Sequence, residues 1–186
     1  MTPSKVTRAL LSATVLTAGS AFASNNPGAH QHGHAELQLA IDGNQVDLIF
    51  TSPAYNLLGF EHRARSDEQK ALVNQVTNWL GQTPLTNTRE GSCTVMNAVV
   101  HHQAGGDDHG HNHGHDHDHP DESSHSDFEV TQTLSCPDLK PSEALSTPIT
   151  IRFPEIENLN VEWIWSGGQG SDRLGQGETR VRPGAQ

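Results

Sequence analysis

The chain has 186 residues, enough for one domain with its own core, and carries 22 acidic against 11 basic residues for a formal charge of −11. That balance argues against nucleic acid and against anionic membrane surfaces as partners, and it favours cations. Beyond the first 23 residues no segment is long and apolar enough to cross a membrane as a helix.

Residues 1–23 read as a secretory signal peptide. Lys5 and Arg8 form the basic start, Ala9 to Gly19 an apolar stretch too short to span a bilayer, and Ala21-Phe22-Ala23 an A-x-A cleavage signal. Cleavage there removes Lys5 and Arg8 but no acid, leaving 9 basic against 22 acidic residues and a charge of −13. No cysteine follows the apolar stretch to carry a lipid. The expectation is an exported protein in which residues 24–186 form a single β-rich metal-binding domain.

The mature chain opens on alternating histidines, His30, His32 and His34, followed by Glu36 where a strand begins. Two readings stay open: an ordered metal site held against the domain, or a loose arm that adds weak binding. Leu37, Leu39 and Ile41 then alternate with polar or small residues. Asp42-Gly43-Asn44 supplies a turn, and Val46, Leu48 and Phe50 alternate again, which predicts a β-hairpin.

His62, in Gly59-Phe60-Glu61-His62, lies just before the next element and is the natural distant partner for the N-terminal histidines. Glu61 could orient a ligating imidazole or be an oxygen ligand, and the sequence does not choose. From Asp67 to Leu80 the apolar period becomes helical: Leu72, Val73, Val76, Trp79 and Leu80 share one face. Ser66 and Gln69 suit a capping box, and Gly81 stands where a C-terminal cap is expected.

After the helix the period returns to two, over Cys93 to His101, Phe128 to Cys136, Ile149 to Phe153 and Val161 to Trp165, with Pro and Gly clusters between. The expected fold is mostly β with one amphipathic helix, an α+β arrangement. It would be an antiparallel sheet or sandwich carrying a disordered His-rich hairpin insertion at 103–126.

Cys93 and Cys136 are the only cysteines. In an exported chain an even count favours a disulfide between them, and the rival reading is a pair of thiolate metal ligands. With Cys93 opposite Cys136 in an antiparallel pair, Val95 meets Leu134, Asn97 meets Gln132 and Val99 meets Val130. The segment between then becomes a tongue tied at its base by the bond. Closing a loop of that length contributes roughly 4 kcal/mol in the chain-entropy picture.

Between those strands lies the most concentrated chemistry of the chain. Nine of the 13 histidines fall from His101 to His125, and His109, His111, His113, His115, His117 and His119 alternate with Gly, Asn or Asp. Neutral imidazole suits zinc, copper and nickel. An extended chain sets every second side chain about 6 to 7 Å apart, too far to close a rigid site without bending. Gly110 and Gly114 permit the bending, and Asp107, Asp108, Asp116, Asp118 and Asp121 add oxygen ligands or raise the local cation concentration. The pattern predicts capture by several interchangeable ligand sets.

Five features together carry a family likeness: the leader, the opening HQHGHAELQLAIDGN, the LLGFEH segment, the central His/Asp-rich insertion and the closing WIWSGGQGS. The chain resembles the ZrgA-type zinc-regulated periplasmic proteins of Gram-negative bacteria over nearly all of its mature length. HGHAEL and GFEH are the more discriminating parts, since His runs occur in unrelated metal proteins. The resemblance implies a periplasmic zinc-binding protein that assists zinc uptake with an inner-membrane ABC-type importer. It places His30, His32, His34 and the tongue histidines in the family's His-rich regions, and Glu61 and His62 in its GFEH segment. After His62 the chain reads RARSDEQ, a departure from the Ala-Pro pair expected there.

The reading is therefore a zinc-capture protein, with a nickel or copper buffer as the alternative that imidazole ligation alone does not separate. A zinc hydrolase is the remaining class. Neither a G-x-S-x-G elbow, nor an H-E-x-x-H helix, nor a Gly-rich phosphate loop, nor a redox cysteine pair is present.

Overall fold

The computed structural model of the chain describes residues 31–103, 126–137, 139–140 and 144–181. The leader expected at 1–23, His30 and the histidines from His109 to His119 lie outside the described residues.

The alternation after His34 folds as the sequence suggests. Strand β1 (His34–Asp42) and strand β2 (Gln45–Pro53) pair antiparallel, with Leu37 opposite Phe50 and Leu39 opposite Leu48. Gly43 takes the first central position of the two-residue turn with φ of 56°, a conformation a glycine adopts without Cβ strain. Pro53 then leads into a short helix, α1 (Ala54–Leu58), which Gly59 ends in the left-handed region.

The amphipathic stretch forms helix α2 (Asp67–Gln82), and Ser66 and Gln69 make the reciprocal capping box. Val76 and Leu80 are buried and Leu72, Val73 and Trp79 pack beside them. Gly81 lies inside the helix, not past its end; Thr83 is the cap, and its N–H donates to the Trp79 carbonyl.

Strands β3 (Thr94–Gln103) and β4 (Asp127–Ser135) form the outer antiparallel pair. Next in the chain come β5 (Leu145–Ser146), helix α3 (Ile149–Arg152), β6 (Asn158–Trp165), β7 (Gly168–Gly175) and β8 (Arg180–Val181). One six-stranded sheet has the order β3-β4-β2-β1-β6-β7, and β5 pairs with β8 in a second, small sheet. The mostly β class with one long amphipathic helix is what this architecture shows.

Four further local expectations are corrected. Val95 does face Leu134, but a bulge at Met96 slips the register by one, so Asn97 faces Thr133, Val99 faces Thr131 and Val100 faces Val130. An extra residue in one strand is what a bulge adds, and period two cannot reveal it. Ile149 to Arg152 is one helical turn instead of a strand, with the Arg152 N–H bonded to the Pro148 carbonyl. The contact between β1 and β6 is parallel. Finally, Cys93 and Cys136 are bonded, with Cα atoms 4.1 Å apart, but they close the end of the β3–β4 pair opposite to residues 103 and 126. Ten residues of strand, about 30 Å, separate the bond from the base of the insertion.

One face of the sheet is covered by α1, α2 and the connections between strands. Leu37, Phe50, Phe128, Val130, Leu134, Leu159 and Val161 are fully buried there, each contributing about 1.5–3 kcal/mol. Gln132 is the buried polar residue that fastens helix to sheet. Its Nε2 donates to the carbonyls of Leu80 and Thr83 at 2.7 and 2.8 Å, and its Oε1 accepts the Leu85 N–H at 3.0 Å. It thus satisfies backbone groups that the end of α2 leaves without partners. At the far edge, Gly167 and Gly170 make room for Trp165 and Trp163, since a Cβ would meet their rings at 2.5 and 2.6 Å.

Candidate metal site

At one end of the sheet β1 and β4 begin while β2 and β3 finish, so His34, Pro53, Asp127 and Gln103 mark a common edge. The N-terminal histidines and both chain ends that lead into residues 104–125 therefore meet on the same side of the molecule. Three strand spacings, about 14 Å, separate β1 from β3 across it.

The turn His32-Gly33-His34 is tightly held. Gly33 has φ of 81°, and its carbonyl accepts the N–H groups of Glu157 and Asn158, both at 2.9 Å. Asn56, 2% exposed on α1, clamps it from the other side. Its Oδ1 accepts the Gly33 N–H at 2.8 Å, and its Nδ2 donates to the His34 carbonyl at 2.8 Å and to Ser52 Oγ at 3.1 Å. Every polar group of this buried amide is used.

His32 projects from the clamped turn. Its ring stacks on Tyr55, centroids 4.3 Å apart and planes 12° from parallel, and its Nε2 lies 2.8 Å from Glu61 Oε1. The carboxylate is the partner sequence reasoning left undecided. His62 points elsewhere: it stacks on Phe60 at 4.9 Å, and its Nδ1 bonds the Arg63 carbonyl at 3.0 Å. The left-handed Gly59 cap turns the chain so that Glu61, not His62, reaches His32. By strand alternation the His34 side chain shares the uncovered face with Glu36.

At the base of the insertion a second imidazole is placed with equal definition. His102 stacks on Phe128, centroids 4.3 Å apart and planes 9° from parallel, with Nε2 3.0 Å from Ser126 Oγ. Burial pushes its pKa below the ordinary 6.5, because a desolvated imidazolium is disfavoured. Ser126 also accepts the Ala54 N–H at 2.7 Å, so hydrogen bonds run from His102 through Ser126 to α1, and from α1 through Asn56 to His34. Sequence reasoning missed both Asn56 and His102. The one available signal for Asn56 was a lone amide within the apolar run Ala54 to Leu58.

Among the described residues no three His, Cys, Asp or Glu side chains converge as a ready-made metal centre. The His32–Glu61 pair nevertheless suits a zinc ion. Metal bonds of 2.0–2.1 Å to nitrogen and oxygen in a tetrahedral site set the two ligand atoms about 3.3 Å apart. Exchanging the shared proton for zinc would move this pair by about half an ångström.

The model of a family described as ZrgA family zinc uptake protein matches residues 29–183. The chain belongs to that family. The match runs from the residue before His30 to two residues past β8 and takes in the clamped turn, Glu61 and both strands that flank the insertion. Membership makes zinc uptake the role. ZrgA is a family of uptake proteins and not of enzymes. No curated protein matches the chain closely enough to add a relative. No helix among the described residues is long and apolar enough to cross a membrane, and the Cys93–Cys136 bond fits an oxidising compartment.

Proposed function

We propose that the protein captures zinc in the periplasm and passes it to an inner-membrane ABC-type importer, without catalysing a reaction. His109, His111, His113, His115, His117 and His119 gather the metal in interchangeable sets. His32 and Glu61 form the nucleus of a better-defined site, which His30 and His34 complete, with His62 outside its inner ligand set. The observation that carries this reading is the 2.8 Å His32–Glu61 pair on a turn clamped by Asn56, at the same sheet end as the two strands that bound residues 104–125.

The division of labour follows from chain entropy. A segment that must order itself around each ion binds weakly and exchanges readily, whereas a turn already fixed by four hydrogen bonds loses little freedom on binding. Zinc titration calorimetry on the mature protein should show more than one ion. Deleting residues 105–126 should lower the stoichiometry and leave one tighter ion, with the circular dichroism of the domain retained. Unchanged stoichiometry after the deletion would remove the insertion from the mechanism.

A further inference from the structure

On the sheet face turned away from the helices, residues of both outer strands, β3 and β7, border a single groove of about 840 Å³. That volume is in the range of binding clefts. Its trough carries two exposed aliphatic side chains among polar ones: Ile49 on β2 lies across from Gln38 and Ile164 on β6 across from Ala40, and they are 43% and 57% exposed.

Two carboxylates edge the trough: Asp47 directly across from Ala40, and Glu162 directly across from Gln38. Asp47 is fixed in place, its Oδ1 accepting from Thr133 Oγ1 at 2.7 Å and its Oδ2 from Gln45 Nε2 at 2.8 Å. Among the described residues no lysine or arginine pairs with either carboxylate. An oriented carboxylate beside an exposed aliphatic side chain is the complement of a long cationic side chain, whose stem lies on apolar surface while its head makes a charge-assisted hydrogen bond.

We infer that this groove docks an extended basic segment of a partner protein, with lysine or arginine heads on Asp47 and Glu162 and aliphatic side chains on Ile49 and Ile164. A second copy of the chain is the poorer occupant, because a net charge of −11 makes two copies repel. Four residues along β1 from Gln38, about 13 Å, stands His34. A docked partner would thus sit beside the end of the sheet where metal is gathered. That adjacency rests on the proposed zinc capture; the docking does not.

The test is an amide chemical-shift titration of the zinc-free mature protein with the peptide acetyl-Gly-Lys-Ser-Ile-Ser-Lys-Gly-amide, whose lysines and isoleucine share one face when extended. Its glutamate counterpart and n-hexylammonium serve as comparison probes. The lysine peptide should shift amides 38–40, 47–49 and 162–164. The Asp47→Asn, Glu162→Gln double variant and Ile164→Ser should each weaken it by about tenfold, the size of one such contact, while zinc titrations of both stay unchanged. Shifts scattered over the acidic surface, or undiminished binding by the double variant, would overturn the docking site. Hexylammonium binding as tightly as the peptide would assign the groove to small amines instead, and a sedimenting dimer would assign it to a second copy.

Discussion

His32 and His102 are near twins in geometry and opposites in setting. Each stacks on an aromatic ring at 4.3 Å, and each uses Nε2 for one hydrogen bond. The partner of His32 is a carboxylate, and its side chain is 54% exposed. The partner of His102 is a hydroxyl, and burial pushes the pKa of that ring down. An imidazole that shares a proton with a carboxylate can trade it for a cation within reach of solvent. One that rests on a serine under the insertion has a packing role. The same residue type at similar distances thus gains different chemistry from charge and water alone.

The largest expected effect should leave both imidazoles untouched. Replacing Cys93 and Cys136 with serine should cost up to roughly 4 kcal/mol of stability, read by urea denaturation, with zinc affinity held within about twofold because the bond lies at the other end of the β3–β4 pair. Zinc binding lost together with the bond would mean that the two ends are not independent.

Next in size are His32→Ala and Glu61→Gln, which should weaken the tighter zinc ion by about 10–100-fold, as removing groups that bind or orient a metal does. His102→Gln should leave it unchanged. If calorimetry finds that the two histidine variants lose affinity equally, the contrast between the rings fails.

His102 should instead show in acid. Its folded pKa lies below the unfolded 6.5, so the unfolded chain takes up the proton first. Stability is therefore full above pH 6.5 and falls as the pH drops below it toward the folded value, by less than about 1.4 kcal/mol per pH unit. His102→Gln should flatten this part of the slope in denaturation midpoints measured from pH 7.5 to 5.5. A slope identical to that of the parent protein would show that the ring is protonated without cost.

The smallest effect belongs to His62, whose ring is already engaged with Phe60 and the Arg63 carbonyl. His62→Ala should weaken the tighter ion by less than about tenfold. A loss as large as that of Glu61→Gln would place His62 in the inner ligand set and enlarge the site.

Local chemistry made part of this arrangement readable. Leu37 to Phe50 spelled a hairpin because alternation and a Gly-Asn turn agree, and Ser66 with Gln69 announced the start of α2 because a capping box needs those two positions. Long-range partners were not written locally. Nothing near Met96 signals a bulge, and Ile149 to Arg152 is too short for a period to decide between strand and helix. Strand β7, from Gly168 to Gly175, holds three glycines, one of which, Gly170, leaves the space that Trp163 needs, so its composition reads as turn. His32 stood out as a histidine, but the pairing of it with Glu61 over His62 depended on a left-handed Gly59, and Asn56 on a clamp formed with residues more than twenty positions away.

The carbonyl of Gly33 waits for Glu157 and Asn158. A chain is made from its N-terminus, so His32 emerges more than a hundred residues before Glu157 and Asn158, the groups that fix its turn. Loop closure over that span is among the slower steps a small domain can take. Until β6 docks alongside β1, a newborn chain offers zinc only loose imidazoles. In the proposed capture the oriented His32–Glu61 pair would therefore form late, and a tightly held ion would report that folding has reached its end.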